Sequence, residues 1–293
     1  MRDEAIRTVR LFNRTVAERI GAYNDRFLGR GRPYGESRTL WEIGHEGAEV
    51  RELRSRLGLD SGYVTRVIQS LERQGLVAVE SGRTDGRVRQ VRLTRAGLAE
   101  LAELDRRSDD LAWSFVEPLT DGQRERLLTA MTDAERLLRA SAVVIVVEDS
   151  MTADARWCIE RYFADLDDRF ESGFDAGNSI SATPEELTLP RGALLIARLH
   201  GRPVGCGGLK LHAGAPCEIK RMWVAPEVRG LGVGRRLLIE LEELARRNGA
   251  RVARLETNGS LTEAIQLYRS SGYREVPAFN DEPYAHHWFE KDL

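Results

Sequence analysis

Apolar positions follow two regimes along the chain. From residue 1 to about 140 they recur mainly with a helical period. Beyond about 141, short alternating and β-branched runs take over. In the first regime, residues 94–117 and 120–140 predict two long helices. Thr94 caps the first, which ends near Pro118, and Thr120 or Asp121 caps the second. Leu127, Met131, Ala134 and Leu138 recur on one face of the second. Residues 49–57 predict a short helix that stops at Gly58. Asp60 or Ser61 then opens another, in which Val64, Val67, Ile68 and Leu71 form an i, i+3, i+4, i+7 stripe. Thr65, Arg66, Gln69 and Arg73 take its other face, and Gly75 ends it. Residues 76–79 read as a strand, 81–87 as a turn-rich tip, and Val91 with Leu93 as the returning strand.

The second regime opens at residues 143–147, a run of valine and isoleucine suited to a strand. An amphipathic helix follows over 152–171, then an irregular stretch with a candidate short helix at 184–187. Strands are expected at 193–200, 203–212 and 218–224, the first two joined by a tight turn at Gly201-Arg202. A helix over 231–248 buries Leu237, Leu238, Leu241 and Leu244 and stops at Gly249. A strand at 251–256, a helix at 261–271 ending at Gly272, and strands at 273–276 and 286–291 complete the chain. The change of period divides it into domains 1–140 and 141–293. No Gly/Ser/Pro run separates them, so the linker is short.

A length of 293 residues accommodates two such domains, each able to bury a core. With 42% hydrophobic and 31% charged residues, the composition is that of a soluble protein. No apolar run is long enough to span a membrane, and the first ten residues lack the apolar stretch of a secretory signal, so a cytoplasmic protein is expected. Cys158, Cys206 and Cys217 are odd in number and have no zinc-ligand spacing, which points to packing thiols and no metal site.

The net charge of -2 conceals a local excess. Segment 51–95 holds ten arginines against five acidic residues. A basic patch on a helix, short turn, helix and hairpin is the footprint of a winged helix-turn-helix on DNA. Arginine is also the chain's general surface cation, since there are only three lysines, so some of these side chains simply solvate a face. Leu57-Gly58-Leu59-Asp60-Ser61-Gly62-Tyr63-Val64-Thr65-Arg66, then Leu71-Glu72-Arg73-Gln74-Gly75-Leu76-Val77, resembles the MarR family of bacterial regulators. So do the wing Asp85-Gly86-Arg87 and the stretch Val91 to Gly97. The resemblance implies a homodimer built from the first and last helices of this half, bound to a double-stranded DNA operator. It implies DNA contacts by Ser61, Tyr63, Thr65, Arg66, Gln69 and Arg73 and by Arg83, Asp85 and Arg87 of the wing.

In the second half, strand Met222-Trp223-Val224 leads into Arg229-Gly230-Leu231-Gly232-Val233-Gly234 at a helix start. Glycines let the backbone approach a ligand, and a helix start offers unpaired N–H donors, so this is an anion nest suited to a pyrophosphate. A Rossmann loop would follow the first strand of a parallel domain. Here the glycines follow a run of antiparallel-looking strands. Arg-x-x-Gly-x-Gly after such a strand resembles the GNAT acetyltransferases. Glu218 to Pro226, Leu255-Glu256-Thr257-Asn258, and Ala264 to Tyr273 resemble the same family, in order, over residues 143–293. The fold class implied is multidomain: a mostly-α winged helix-turn-helix, then an α/β GNAT fold with a mixed, mainly antiparallel sheet. The resemblance implies an N-acetyltransferase that joins acetyl-CoA and an amine in a ternary complex and releases CoA. Met222, Trp223, Val224, Arg229 to Gly234, Arg235, Asn258 and Tyr268 would contact the cofactor, Arg229 adding charge at the pyrophosphate.

Tyr268 is then the expected proton donor to the leaving thiolate, or else a packed helical aromatic. Glu218 is the expected general base, or else a structural carboxylate paired with Lys220 or Arg221. His286, His287, Tyr284 and Phe174 are lesser candidates for acceptor contact. The leading reading is a bifunctional regulator and acetyltransferase of a small-molecule amine or amino acid. A regulator that only senses acetyl-CoA or a metabolite, and an enzyme whose winged helix only dimerises, are the alternatives.

Overall fold

The computed structural model describes residues 1–24, 26–81, 89–180 and 182–293. These fall into two units, Met1–Thr132 and Asp133–Leu293, divided inside a long helix. The wing residues Arg83, Asp85 and Arg87 lie outside the described residues.

The first unit opens with helices α1 (Arg2–Ile20) and α2 (Tyr34–Ile43) and the two-residue strand β1 (Ala48–Glu49). Helix α3 (Val50–Leu57) follows and ends at Gly58 with φ 64°. Two residues later the Asp60 side chain accepts a bond from the Tyr63 amide at 2.9 Å, starting α4 (Ser61–Arg73). The expected stripe of Val64, Val67, Ile68 and Leu71 is the buried face of α4. It packs with Leu40, Leu53, Val91 and Leu104 into the core of this unit. Strands β2 (Val77–Ser81) and β3 (Arg89–Leu93) pair antiparallel, and β1 adds to β3. Thr94 caps α5 (Arg95–Val116) by accepting from the Gly97 amide at 3.0 Å. Helix α6 (Asp121–Ala142) closes the series. Helix α1 buries none of its residues and leaves Ile6, Val9, Phe12 and Val16 exposed.

In the second unit a single sheet runs β4-β5-β6-β7-β8-β10-β9 among the described residues. Its strands are β4 (Val143–Glu148), β5 (Gly192–Leu199), β6 (Arg202–Lys210), β7 (Cys217–Val224), β8 (Val252–Thr257), β9 (Arg274–Val276) and β10 (His287–Asp292). Every pairing is antiparallel except β7 with β8. Helix α7 (Ala153–Arg169) precedes β5, α8 (Val233–Arg247) links β7 to β8, and α9 (Thr262–Ser270) follows β8. Successive residues of β6 point to opposite faces. Gly205 and Gly207 face α8, while Cys206 between them meets Cys158 of α7, so the two helices cover opposite faces. A Cβ on Gly207 would lie 2.8 Å from Leu241 Cδ1 and from Met222 Sδ, so a larger residue there would push those side-chain ends aside.

Two local expectations shift. The β5–β6 turn is centred on His200 and Gly201, one residue earlier than expected. Both have positive φ, 51° and 78°, as a two-residue turn of the right hand requires. Residues 184–187 form a turn instead of a helix, closed by Thr183 and Glu186, each of which accepts the other's backbone N–H. No helix among the described residues is long and apolar enough to cross a membrane.

Candidate active site

Strands β7 and β8 share a ladder at two positions, Cys217 with Ala253 and Glu218 with Arg254. Beyond these the strands part. The next inward-facing position sets Lys220 opposite Glu256, and an ion pair between those side chains bridges the vertex. Lys220 also lies 3.0 Å from Glu218, whose other oxygen is 2.8 Å from His212 Nε2. Burial raises the Glu256 carboxyl above the usual carboxylate range despite Lys220. Burial pushes Glu218 up too, but Lys220 and His212 outweigh it and hold that carboxyl below its usual range. Burial disfavours the Lys220 ammonium, yet Glu256 and Glu218 prevail and raise its pKa.

Strand β7 is bulged opposite Gly207: Trp223 pairs with Cys206, but Lys220 pairs with Gly208. The extra residue leaves Arg221 with φ 53°. Bulges re-aim side chains. Here the bulge turns Lys220, Arg221 and Met222 toward one cavity of about 90 Å³, with Glu256 on its β8 side. A second groove of about 620 Å³ runs from Met222 along the start of α8. Met222, Tyr162 and Tyr268 border both spaces, so they form the wall between them. Burial, with Glu256 next in weight, raises the Tyr268 phenol well above its ordinary pKa. Burial does the same to Tyr162. Both hydroxyls therefore hold their protons at neutral pH.

The larger groove carries most of the residues expected at the cofactor. Met222, Trp223, Val224, Arg229, Gly230, Gly232 to Arg235, and Tyr268 border it. Gly230 and Gly232 have φ 75° and 77°, and Gly232 stands at the N-cap of α8 without a capping side chain. The first-turn N–H groups of α8 are thus available to an anion. The two arginines expected at the cofactor are engaged otherwise. Arg229 donates to the Val224 carbonyl at 2.9 Å and to both Asp165 oxygens at 2.8 and 2.9 Å. Arg235 donates to Ser270 and Ser271. The charge expected from Arg229 is therefore already matched by Asp165, and the site rests on backbone donors. Leu231 is absent from the lining. It packs on the core, and its amide donates to the Val228 carbonyl at 3.3 Å. Arg136, which the sequence did not suggest, donates to the Gly230 carbonyl at 2.8 Å and fixes the loop from behind.

Three other expectations land elsewhere. Glu218 sits on the closed side of the vertex and borders neither space, because the ladder ends at that residue. Its partner is Lys220, the structural alternative weighed from sequence. Asn258 borders the smaller cavity, not the cofactor groove. Its amide donates to the Tyr284 carbonyl at 2.8 Å and its oxygen accepts from the Ser260 amide at 2.9 Å, so the side chain serves the loop. His286 accepts from the Gly259 amide at 3.1 Å, and His287 is 2.6 Å from Glu275. Neither borders the smaller cavity, whereas Phe174 and Tyr284 do. Glu256 and Tyr162 were missed. Glu256 stood inside a quoted motif, but its facing partner Lys220 is 36 residues away in sequence.

In the first unit, Ser61, Arg66, Gln69 and Arg73 are exposed on α4, opposite its buried stripe. Tyr63 and Thr65 are half-buried. Tyr63 packs against the core, and the Thr65 hydroxyl donates to the Ser61 carbonyl at 2.7 Å.

Known proteins divide along the same lines. The acetyltransferase (GNAT) family matches residues 157–273, and the MarR family matches residues 30–88. The chain is 35% identical over 128 residues to an IAA acetyltransferase of Azospirillum brasilense, across 43% of this chain and 78% of that protein. It is 28% identical over 91 residues to the HTH-type transcriptional repressor IacR of Pseudomonas putida, across 31% of this chain and 54% of that protein. The crystal structure of an acetyltransferase of GNAT family from Staphylococcus aureus aligns with 52% of this chain and 99% of its own, at 18% identity and a TM-score of 0.45. The chain therefore belongs to the GNAT acetyltransferases and is an acyltransferase that uses acetyl-CoA, while residues 30–88 match the MarR family.

Proposed function

We propose that the chain is bifunctional: a homodimeric DNA-binding regulator over residues 1–140 and an N-acetyltransferase of a small-molecule amine or amino acid over 141–293. The observation that carries the enzymatic reading is the parting of β7 and β8. It leaves an uncapped helix start on one side, Glu256 on the other and Tyr268 between. Acetyl-CoA supplies an activated acyl group and a thiolate leaving group. The first-turn amides of α8 would hold its pyrophosphate. Glu256 takes the proton of the acceptor amine, and Tyr268 gives a proton toward the sulfur. Glu218 acts through Lys220, holding the ammonium beside Glu256. A thiol-release assay over a panel of small amines tests this reading. Turnover supports it. If acetyl-CoA binds by calorimetry but no amine releases thiol, a sensor of acetyl-CoA replaces it.

The loop makes its own demand. Gly232 has φ 77°, where alanine costs about 1–2 kcal/mol. Gly232→Ala is expected to raise the KM for acetyl-CoA about tenfold with a smaller change in kcat. An unchanged KM would remove Gly232 from the site.

The DNA-binding reading is supported by Arg66, Gln69 and Arg73 on the exposed face of α4. The name of the Pseudomonas putida relative, a transcriptional repressor, agrees with it. The unburied apolar stripe of α1 supports a second copy as its cover. Arg66→Ala is expected to weaken operator binding and to flatten the salt dependence by about one unit per lost phosphate contact. Gel-shift titrations across salt, with native mass spectrometry of the complex, check this. A complex with one chain per operator, or an unchanged salt slope, counts against it.

A further inference from the structure

The smaller cavity has one wall built of rings. Phe163 of α7 stacks on Phe174 at 5.5 Å between centroids, inclined by 27°. Phe174 meets Phe170 at 5.9 Å and Tyr284 at 4.9 Å. These side chains come from the end of α7, the loop after it and the segment before β10, and all four border the cavity. Hydrogen bonds lock the segments together. The Asp175 amide donates to the Tyr284 hydroxyl at 3.0 Å, and the Phe174 amide donates to Asp167 at 2.9 Å. Glu282 accepts from the Ser179 hydroxyl and the Ile180 amide at 2.9 and 2.6 Å. The wall is thus pre-formed, and the space beside it suits a flat apolar group more than a hydrated chain.

The place of the reacting amine sharpens the choice. The amine of any acceptor must reach the Met222–Tyr268 wall, beside Glu256. The remainder of the acceptor then lies toward the rings. Lys220 borders the same space, and the Arg221 guanidinium sits 5.3 Å over the Phe163 ring. Glu256 and Glu282 border that space too, and Lys220 is already paired with Glu256, so the charges of the lining are balanced and the rings decide the choice.

We infer that the acceptor is a primary amine whose distal end is an aromatic ring, either an arylalkylamine or an aromatic amino acid. This rests on the acetyltransferase reading above, so the test reads binding and turnover separately. Phenylethylamine, phenylalanine, hexylamine and putrescine are titrated calorimetrically into the full chain, then assayed for thiol release with acetyl-CoA. The ring-bearing amines are expected to exceed both hexylamine and putrescine about tenfold or more in both readouts. Phe174→Ala is expected to cut the ratio of phenylethylamine to hexylamine about tenfold, and Phe174→Leu, which keeps the wall apolar, gives a second reading of that ratio. Phenylalanine against phenylethylamine tells which of the two forms the cavity favours. Ring preference in binding without thiol release removes the enzymatic reading and leaves the pocket standing. Putrescine or hexylamine as the best substrate, or a ratio unmoved in both Phe174 variants, overturns the ring preference while leaving the enzyme.

Discussion

Tyr268→Phe is expected to lower kcat by about 10²–10³, the range of a lost general acid, with less than about a threefold change in the KM for acetyl-CoA. The substitution isolates one oxygen. The ring of Tyr268 packs 6.0 Å from the rings of both Tyr273 and Phe289, and phenylalanine keeps those contacts. The residue is buried, so no large exposed surface changes with it. What disappears is a hydroxyl on the wall between the two spaces, held protonated by burial and, less strongly, by Glu256. A neutral phenol gives up its proton only as negative charge builds beside it, which suits a thiolate formed late in the reaction. Tyr162 borders both spaces as well and provides the internal control. Steady-state kinetics on both tyrosine variants separate the roles. A full kcat in Tyr268→Phe with a collapsed kcat in Tyr162→Phe would move the proton donor from α9 to α7.

The sequence reading went furthest where the deciding forces are local. Helix α4 was legible because its apolar stripe, the Asp60 cap and Gly75 all lie within 16 residues of one another. The start of α8 was legible for the same reason: its three glycines fall within five residues, and Gly230 and Gly232 have positive φ. The base proposed above is not legible in the sequence. Glu218 and Glu256 are both carboxylates on adjoining strands, and the quoted motifs contained each of them. Only the end of the ladder, at Glu218 with Arg254, places one on the closed side of the vertex and the other on the open side. The neutralisation of Arg229 by Asp165, the hold of Arg136 on Gly230 and the ring wall from Phe163 to Tyr284 likewise join segments more than 60 residues apart. The bulge at Arg221 depends on a mismatch with β6, which neither strand displays alone.

That distinction between the two carboxylates yields the other large effect. Glu256→Gln is expected to lower kcat/KM by about 10²–10⁴, because the amide keeps the shape of the side chain but cannot take a proton. Glu218→Gln is expected to cost far less, since that carboxylate reaches the site only through Lys220. The pH dependence gives the independent check. A base works when ionised, so the rate falls as pH drops through its pKa. Burial, with Glu218 and Glu282, raises the Glu256 carboxyl, and Lys220 lowers it by less. The acid limb of kcat/KM, plotted against neutral amine, should therefore lie above the ordinary carboxylate range. Lys220→Met removes the cation paired with Glu256 at the vertex and leaves two partly buried carboxylates near each other. Its acid limb should move to still higher pH, and activity at mildly acidic pH should fall first. In Glu256→Gln that limb should vanish. If the limb instead survives in Glu256→Gln and vanishes in Glu218→Gln, the base lies on the closed side of the vertex and a water must carry the proton around Lys220.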